Sequence, residues 1–459
     1  MTKIAFIHPD LGIGGAERLV VDAAVGLQSN GHEVTVFTSH CDKSHCFEEV
    51  SSGVLKVKVL GDFLPISVMG KLHILCAILR QFYLVICLIW TGQINQFDYF
   101  IVDQLSFCVP FLSLFSRKDT KVLFYCHFPD LLLSKQTSFI KSLYRKPFDA
   151  IEEWTTGTSD NIVVNSSFTR SIFHQTFTSL SSIEPGIIYP CVDTEAPQED
   201  NSDAEKELLD FMKGRKFVLS INRFERLKNI GLAIKAFADA LNSFKENEKP
   251  LLIVAGGYDP RVRENVEYLQ ELERLCEQLK LVHYTFRGKL VLMPGKTQVL
   301  FMPSVKTSIK NAALKKAELL LYTPTFEHFG IVPVESMLNK TPVLAINRGG
   351  PLESIVNYDG SNLNEATGYN RLNEVKEWSD VLTAHILELD SQSKETMGNN
   401  GLDRVHKLFS REKMTEAFEH ELKACKLRTR SKGLIYQVCE LWKLWVLSLS
   451  LLVIAIVYY

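Results

Sequence analysis

The stretch that decides the fold of this chain reads Glu327-His-Phe-Gly-Ile-Val-Pro-Val-Glu335. It follows an apolar run that ends near Tyr322 and predicts a strand, while Gly330 stands at a turn. Pro333 fits the first turn of the helix that follows, because its missing N–H is not needed there. The free amides of such a turn bind phosphate or sugar oxygens. A carboxylate pair at this spacing is common by chance, so the strand–loop–helix context makes it a candidate ligand site.

The same alternation of apolar strands and helices extends in both directions. Near-continuous apolar strands separated by helices predict parallel sheets that are covered on both faces. We therefore predict an α/β protein with two Rossmann-like, doubly wound domains that face a cleft, because ligands bind at the carboxyl ends of such strands. The predicted strands lie at 3–8, 32–38, 54–60, 99–103, 122–126, 161–165, 217–221, 251–255, 284–286, 318–322 and 342–346.

A polar stretch from Thr194 to Lys206 separates the two sets of strands. We accordingly predict one domain over 1–195, a linker over 196–215 and a second domain over 216–426. Helices near 373–389, 393–408 and 411–426 are expected to close the second domain.

Composition limits the functional classes. Apolar residues make up 46% of the chain, charged residues 23%, and the net charge is -2. These values fit a globular protein and give no sign of a nucleic-acid partner. The ten cysteines form no CxxC pair, which favours buried free thiols in a reducing compartment. The first residues do not resemble a signal peptide, so we expect the body on the cytosolic side of a membrane.

The C-terminal segment predicts a membrane anchor. From Leu444 to Tyr459 it carries no charge, and we extend the anchor to 434–459. The preceding basic cluster predicts a cytosolic flank; it consists of Lys423, Lys426, Arg428, Arg430 and Lys432.

A second apolar stretch runs from His73 to Trp90, with Arg80 and Gln81 near its middle. A charge at the centre of a bilayer costs about 2.5–3.5 kcal/mol. We therefore expect a buried or membrane-surface helix here rather than a true span.

Further candidate residues stand where predicted strands end. Gly14 and Gly15 form a glycine-rich turn before a helix, which fits a phosphate site or simply a tight turn. Arg223 and Lys228 are cations placed to hold a diphosphate, although a solvated basic turn has the same appearance. His127 ends a strand of the first domain, where a structural or a catalytic role is open. We find no sequence motif for a metal, a nucleophilic serine or a Walker loop.

These motifs resemble the retaining GT-B glycosyltransferases of family 4 over residues 1 to about 420. The resemblance rests on Glu327 and Glu335 around the HFG core, Arg223 with Lys228, the Gly14-Gly15-Ala-Glu17 turn and Tyr189-Pro-x-Val-Asp193. Two further segments, His8 to Arg18 and Tyr125 to Asp130, and the apolar tail are similar to mannosyltransferases of dolichol-linked oligosaccharide assembly. Such enzymes transfer mannose from GDP-mannose to a dolichol-diphosphate oligosaccharide at the cytosolic face of the endoplasmic reticulum membrane.

The resemblance implies specific roles. The first domain would bind the acceptor and the second the nucleotide sugar, without a metal or other cofactor. Glu327 and His127 would be the catalytic residues. The donor-binding residues would be Gly14, Gly15, Arg223, Lys228, Phe329, Gly330 and Glu335. Family members also imply front-face attack, in which a phosphate oxygen helps to take the acceptor proton. Other enzymes of the same pathway are expected partners.

Three other functions compete with this interpretation. A relative could use a UDP-sugar on another glycolipid, or the chain could be a non-catalytic membrane scaffold. The presence of Glu327, Glu335, Arg223, Lys228 and His127 argues against a non-catalytic scaffold. A soluble NAD-dependent oxidoreductase lacks its glycine fingerprint here and leaves the apolar tail unexplained.

Overall fold

The computed structural model divides into two compact units, which we describe separately. One comprises Met1–Cys191 with the chain from Arg411 onward, and the other comprises Val192–Ser410. The structure describes residues 1–68, 72–128, 139–194, 202–246, 248–286, 288 and 293–427. The predicted anchor at 434–459 lies outside the described residues.

The first unit is built on a parallel seven-stranded sheet in the order β3-β2-β1-β4-β5-β6-β7. Its strands are β1 (Lys3–His8), β2 (Glu33–Thr38), β3 (Lys56–Val59), β4 (Tyr99–Asp103), β5 (Lys121–Cys126), β6 (Asn161–Val164) and β7 (Gly186–Ile187). The helices are α1 (Gly15–Ser29), α2 (Glu48–Ser51), α3 (His73–Trp90), α4 (Val109–Phe115), α5 (Phe139–Gly157), α6 (Ser167–Thr176) and, at the end, Arg411–Leu427. Because β1 lies between β2 and β4, the chain reverses its winding direction there, which creates the edge where ligands bind in such sheets.

The second unit repeats this architecture with the strand order β10-β11-β9-β8-β12-β13-β14. Its strands are β8 (Phe217–Ile221), β9 (Leu251–Gly256), β10 (His283–Thr285), β11 (Val299–Pro303), β12 (Leu320–Tyr322), β13 (Val343–Ile346) and β14 (Gly368–Arg371). The helices are α7 (Ser202–Phe211), α8 (Ile230–Ala240), α9 (Arg263–Gln278), α10 (Thr307–Lys316), α11 (Ile331–Leu338), α12 (Pro351–Ser354), α13 (Val375–Thr383) and α14 (Ser391–Leu408). The central strands are buried apart from Gly256 at the end of β9, which explains their continuous apolar sequences.

The two parallel-sheet, Rossmann-like domains are confirmed, and three strands escaped the sequence analysis. These are β7, β11 and β14. β7 has only two residues, and β14 reads Gly-Tyr-Asn-Arg, which lacks an apolar pattern. Both lie at the edge of a sheet, where one neighbouring strand suffices to define them.

The helix Arg411–Leu427, here α15, belongs to the first unit, whereas the sequence analysis assigned residues up to 426 to the second domain. Its Phe418 is fully buried and packs against the rings of Phe6 and Tyr125. Arg411 donates a hydrogen bond to the buried carboxylate of Asp22 in α1. Long-range packing of this kind decides which unit a terminal helix joins, and helical periodicity carries no signal for it.

α3 is long and apolar enough to cross a membrane, and it is the one such helix found in the described residues. Arg80 and Gln81 are nevertheless buried on its protein-facing side. Arg80 donates to the carbonyl oxygen of Ser39, and Gln81 donates to that of Leu105. The two polar residues that interrupt the apolar run thus anchor the helix to the first unit. Its outward positions, such as Leu79 and Trp90, are exposed.

Candidate functional site

The second unit brings Lys228 and Glu327 together. Lys228 Nζ donates to Glu327 Oε2 at 2.8 Å, and the hydroxyl of Tyr322 donates to the same oxygen at 2.9 Å. Burial, and then the neighbouring carboxylate of Glu327, hold the pKa of Tyr322 well above its usual range. The phenol therefore stays protonated and acts as a fixed donor. The Glu327 carboxylate is held in place from two sides.

The loop that carries Glu327 is held by glycines that have no room for a side chain. A Cβ on Gly350 would lie 2.2 Å from Cα of Phe329, and one on Gly349 would lie 2.4 Å from the carbonyl oxygen of Glu327. Gly350 also donates its N–H to that oxygen at 2.9 Å. The Asn347-Arg-Gly349-Gly350 turn after β13 therefore supports the Glu327 loop. Sequence analysis identified this turn without its packing partner.

Gly330 precedes α11 in the left-handed region, with φ of 85°. A Cβ there would be strained, and it would also approach the ring of Tyr322 to 3.2 Å. Phe329 is buried with its ring edge against Phe409. The Phe side chain therefore belongs to the core, while the backbone turn beside it stands at the helix N-terminus.

Glu335 lies further along α11, where its Oε1 accepts from Nζ of Lys310 at 2.9 Å. Both side chains remain about one-quarter exposed. Lys310 belongs to α10 and was absent from the sequence-based set. Its position in an ordinary Lys-rich helix gives no signal of this contact.

Arg223 follows β8 and its side chain is 67% exposed. Its guanidinium pairs with Glu225 at 3.0 Å. A surface pair of this kind contributes little to stability, so Arg223 can exchange Glu225 for another anion. Arg223 is therefore an exposed cation near the strand end, in contrast to the more enclosed Lys228.

In the first unit, the strand ends bring His8, Asp103 and His127 together. Asp103 ends β4, between β1, which ends at His8, and β5, which precedes His127. Nδ1 of His8 lies 2.8 Å from one Asp103 oxygen, and Nε2 of His127 lies 3.0 Å from the other. One buried carboxylate thus joins two imidazoles.

The glycine turn lies beside this cluster. A Cβ on Gly14 would lie 2.2 Å from Oε2 of Glu17, whereas one on Gly15 would meet nothing within 4 Å. Oε1 of Glu17 is 3.9 Å from Nε2 of His8. Gly14 therefore gives the Glu17 side chain the space it needs to face His8.

Electrostatic coupling shifts the pKa values of this cluster. Burial by itself lowers the pKa of His8, but the Asp103 carboxylate together with Glu17 outweighs burial and raises that pKa to about 10. Burial by itself raises the pKa of Asp103, but the His8 charge and hydrogen bonds from both histidines hold it below its usual value. The pair is therefore His8⁺ and Asp103⁻ at neutral pH.

Sequence analysis found His127 but missed Asp103. His8 was noticed only as part of a resembling segment. The available signal was that all three stand at or just after the carboxyl end of a predicted strand. The strand order was needed to show that these ends are neighbours. Among the residues that the structure describes, no group of three or more His, Cys, Asp or Glu side chains could hold a metal ion.

Two parallel-sheet Rossmann-like units, each with candidate residues at its strand ends, define the GT-B class of glycosyltransferases. The family model described as Glycosyltransferase Family 4 matches residues 13–196, and the one described as Glycosyl transferases group 1 matches residues 201–372.

The chain belongs to the family of the alpha-1,3/1,6-mannosyltransferases. It is 57% identical to Alpha-1,3/1,6-mannosyltransferase ALG2 of Debaryomyces hansenii, a match that covers 100% of this chain and 97% of the relative. The protein of the same name from Candida albicans is 59% identical over 92% of this chain and 98% of its own. That of Saccharomyces cerevisiae is 48% identical over 91% and 84%. The chain is accordingly a glycosyltransferase enzyme.

Solved structures share the fold at low sequence identity. Sucrose-phosphate synthase from Thermosynechococcus elongatus superimposes with a TM-score of 0.67 at 18% identity, over 92% of this chain and 98% of that one. The catalytic domain of Starch Synthase IV from Arabidopsis thaliana, bound to ADP and acarbose, gives 0.65 at 14% identity, over 93% and 100%.

Proposed function

We propose that this chain is a retaining mannosyltransferase that uses GDP-mannose as its donor. The acceptor is a dolichol-diphosphate-linked oligosaccharide, which receives an alpha-1,3-linked and then an alpha-1,6-linked mannose in N-glycan precursor synthesis. The observation that carries the proposal is the Lys228–Glu327 pair beside Tyr322, in a chain whose relatives are alpha-1,3/1,6-mannosyltransferases.

The donor is held by the second unit. Lys228 has three N–H donors and Glu327 uses one, so others remain for diphosphate oxygens. Arg223 is exposed and can exchange its surface partner for the diphosphate. Glu335 accepts from the ribose hydroxyls, and Glu327 with the amides near Phe329 and Gly330 binds the sugar. These cations stabilise the charge that develops on the departing diphosphate.

Transfer occurs by front-face attack. An acceptor hydroxyl bonds to the anomeric carbon from the side on which GDP departs. The bond from that carbon to the phosphate oxygen breaks, its electron pair stays on GDP, and the hydroxyl proton passes to a phosphate oxygen. Gly14 and Gly15 face the diphosphate, and His127 lies near the reacting carbon. Because Arg223 and Lys228 supply the positive charge, we propose that no metal or other cofactor takes part.

The enzyme acts at the endoplasmic reticulum membrane, with both units on the cytosolic face and residues 434–459 as the anchor. A lipid-borne acceptor and the basic residues ahead of the apolar tail support this location. Other enzymes of the same pathway are proposed partners at that membrane.

The decisive experiment incubates the full chain with GDP-mannose and a lipid-linked Man1GlcNAc2 acceptor, followed by linkage analysis. We expect one alpha-1,3 and one alpha-1,6 mannose, and the same rate in the presence of a chelator. Transfer from a UDP-sugar instead would overturn the donor, and loss of activity on chelation would overturn metal independence.

Localisation has its own test. Membranes that carry the full chain are washed with alkaline carbonate, and the same is done for a chain that ends at residue 433. We expect the full chain to stay in the pellet. Its release by the wash would contradict an integral anchor.

A further inference from the structure

The buried carboxylate of Asp103 connects two histidines of different strands. It bonds His8 through Nδ1 and His127 through Nε2. Asp103 and His8 are almost fully buried, whereas the His127 side chain keeps 18% of its surface exposed. The exposed end of the cluster is therefore His127, and the other two residues lie behind it.

The hydrogen bond to Asp103 selects one ring nitrogen of His127. A carboxylate accepts, so Nε2 carries a proton, and Nδ1 of a neutral ring is then an acceptor. In the described part of the chain, Nδ1 of His127 has no hydrogen-bond partner. The main chain is fixed as well, because Asn165 donates to the His127 carbonyl oxygen at 3.0 Å.

His8 supplies a positive charge beside Asp103, which keeps the buried carboxylate ionised. Nε2 of His8 has no hydrogen-bond partner among the described residues and lies 3.9 Å from Oε1 of Glu17. The charges therefore alternate in sign from Glu17 to His8 to Asp103, and the ionised carboxylate accepts from Nε2 of His127.

We infer that Asp103 is a positioning residue, which fixes the ring of His127 so that Nδ1 accepts a hydrogen bond from a hydroxyl group of the sugar or acceptor. His8 supports it by keeping Asp103 ionised, so that the carboxylate accepts from Nε2 of His127. This role rests on the proposed function for the identity of the hydroxyl, but the tautomer is a property of the protein alone.

The tautomer is measured first, on the full chain in detergent without substrate. ¹⁵N-labelled histidine NMR distinguishes a protonated Nε2 from a protonated Nδ1, and the signal of His127 is assigned by its loss in His127→Gln. We expect the neutral Nε2–H form at pH 7.5. A neutral Nδ1–H form, or an imidazolium, overturns the inference whether or not the chain transfers mannose.

Kinetics then tests the consequence. Misplacement of a reacting group by about 1 Å costs roughly 100-fold in rate, so Asp103→Asn should lower kcat by about that factor while KM for GDP-mannose stays within about twofold. Asp98→Asn is the matched control, because Asp98 stands before the same strand and its side chain is 41% exposed. An unchanged kcat, or a change confined to KM, overturns the inference.

A variant of His8 tests its supporting role. His8→Gln keeps a donor for Asp103 but removes the buried positive charge that holds Asp103 ionised, so the carboxylate should hold the ring of His127 less well. The charged or titratable groups around Asp103 are Glu17 on α1, His8 at the end of β1, Tyr125 on β5, His127 after β5 and Cys108 before α4. Only the charge of His8 changes, so kcat should fall while KM for GDP-mannose stays within about twofold. An unchanged kcat contradicts the role of His8. Should Asp103→Asn fail to fold, this variant and the wild-type tautomer still decide.

If the wild-type chain transfers no mannose while the Nε2–H tautomer is present, the proposed function fails and the positioning of His127 stands.

Discussion

Nζ of Lys228 lies 2.8 Å from Oε2 of Glu327, although the two residues are 99 positions apart in sequence. Lys228 follows β8 and Glu327 follows β12, and these two strands are neighbours in the sheet. The pair therefore forms because two strand ends meet. Its position at the carboxyl edge of the sheet makes it the centre of the candidate donor site.

Lys228→Ala should lower kcat for mannose transfer by roughly 100- to 1,000-fold, because one preorganised donor to the leaving group is lost. The fold should persist, since Thr323 bonds the backbone oxygen of Lys228 and not its side chain. Lys245→Ala, at an exposed pair in the same unit, is the matched control. If Lys228→Ala combined with Arg223→Ala left transfer unchanged, the assignment of both cations would be wrong.

Glu335→Gln should act mainly on donor binding. Hydrogen bonds to a charged group contribute about 1.5–3 kcal/mol, so KM for GDP-mannose should rise by about tenfold or more while kcat changes little. Initial rates over a range of GDP-mannose concentrations measure both constants. Glu246→Gln, which alters an exposed Glu–Lys pair, provides the comparison. A large fall in kcat at constant KM would instead place Glu335 among the groups that act in the transition state.

Gly350→Ala should destabilise the Glu327 loop. Its backbone, with φ of -57° and ψ of -34°, is disfavoured for a residue with a Cβ before proline, here Pro351, and the new methyl group would also lie 2.2 Å from Cα of Phe329. Overpacking of this kind costs about 1–3 kcal/mol. We expect a lower unfolding midpoint and reduced transfer. Gly295→Ala, where a Cβ meets nothing within 4 Å, should change neither. Equal unfolding midpoints for the two variants would show that the Glu327 loop shifts to accommodate the methyl group without loss of stability.

Buried His385 should make stability depend on pH. Burial, and then the nearby Lys394, lower its pKa to about 4, below the unfolded value of 6.5. Its ring bonds the hydroxyl of Tyr369 and the carbonyl oxygen of Glu318, an arrangement that suits neutral imidazole. The unfolded state therefore binds more protons between pH 6.5 and 4, and the stabilisation present above pH 6.5 is lost as the pH falls through this window.

The shift corresponds to about 3 kcal/mol. Urea midpoints between pH 4 and 7 measure it, and His385→Gln should flatten the slope in this range. The exposed His406→Gln should keep the wild-type slope. An identical slope in His385→Gln would assign the pH dependence to other groups.

The sequence by itself determined the two doubly wound units, because strand and helix periods are local. It also located the turn at Glu327 to Glu335 with its helix, since Gly330 and Pro333 specify that geometry within a few residues. Most strands of three or more residues were predicted to within two residues at each end.

Only the tertiary structure decided which of these local features meet. Parallel strands that are adjacent in a sheet can be far apart in sequence, and no residue pattern states their order. This is why Asp103 between two histidines, Lys310 beside Glu335, the Gly350 turn beneath Phe329 and the place of α15 in the first unit were not predicted. The chemistry of each residue is written in the sequence, while its partner depends on the strand order and on long-range packing.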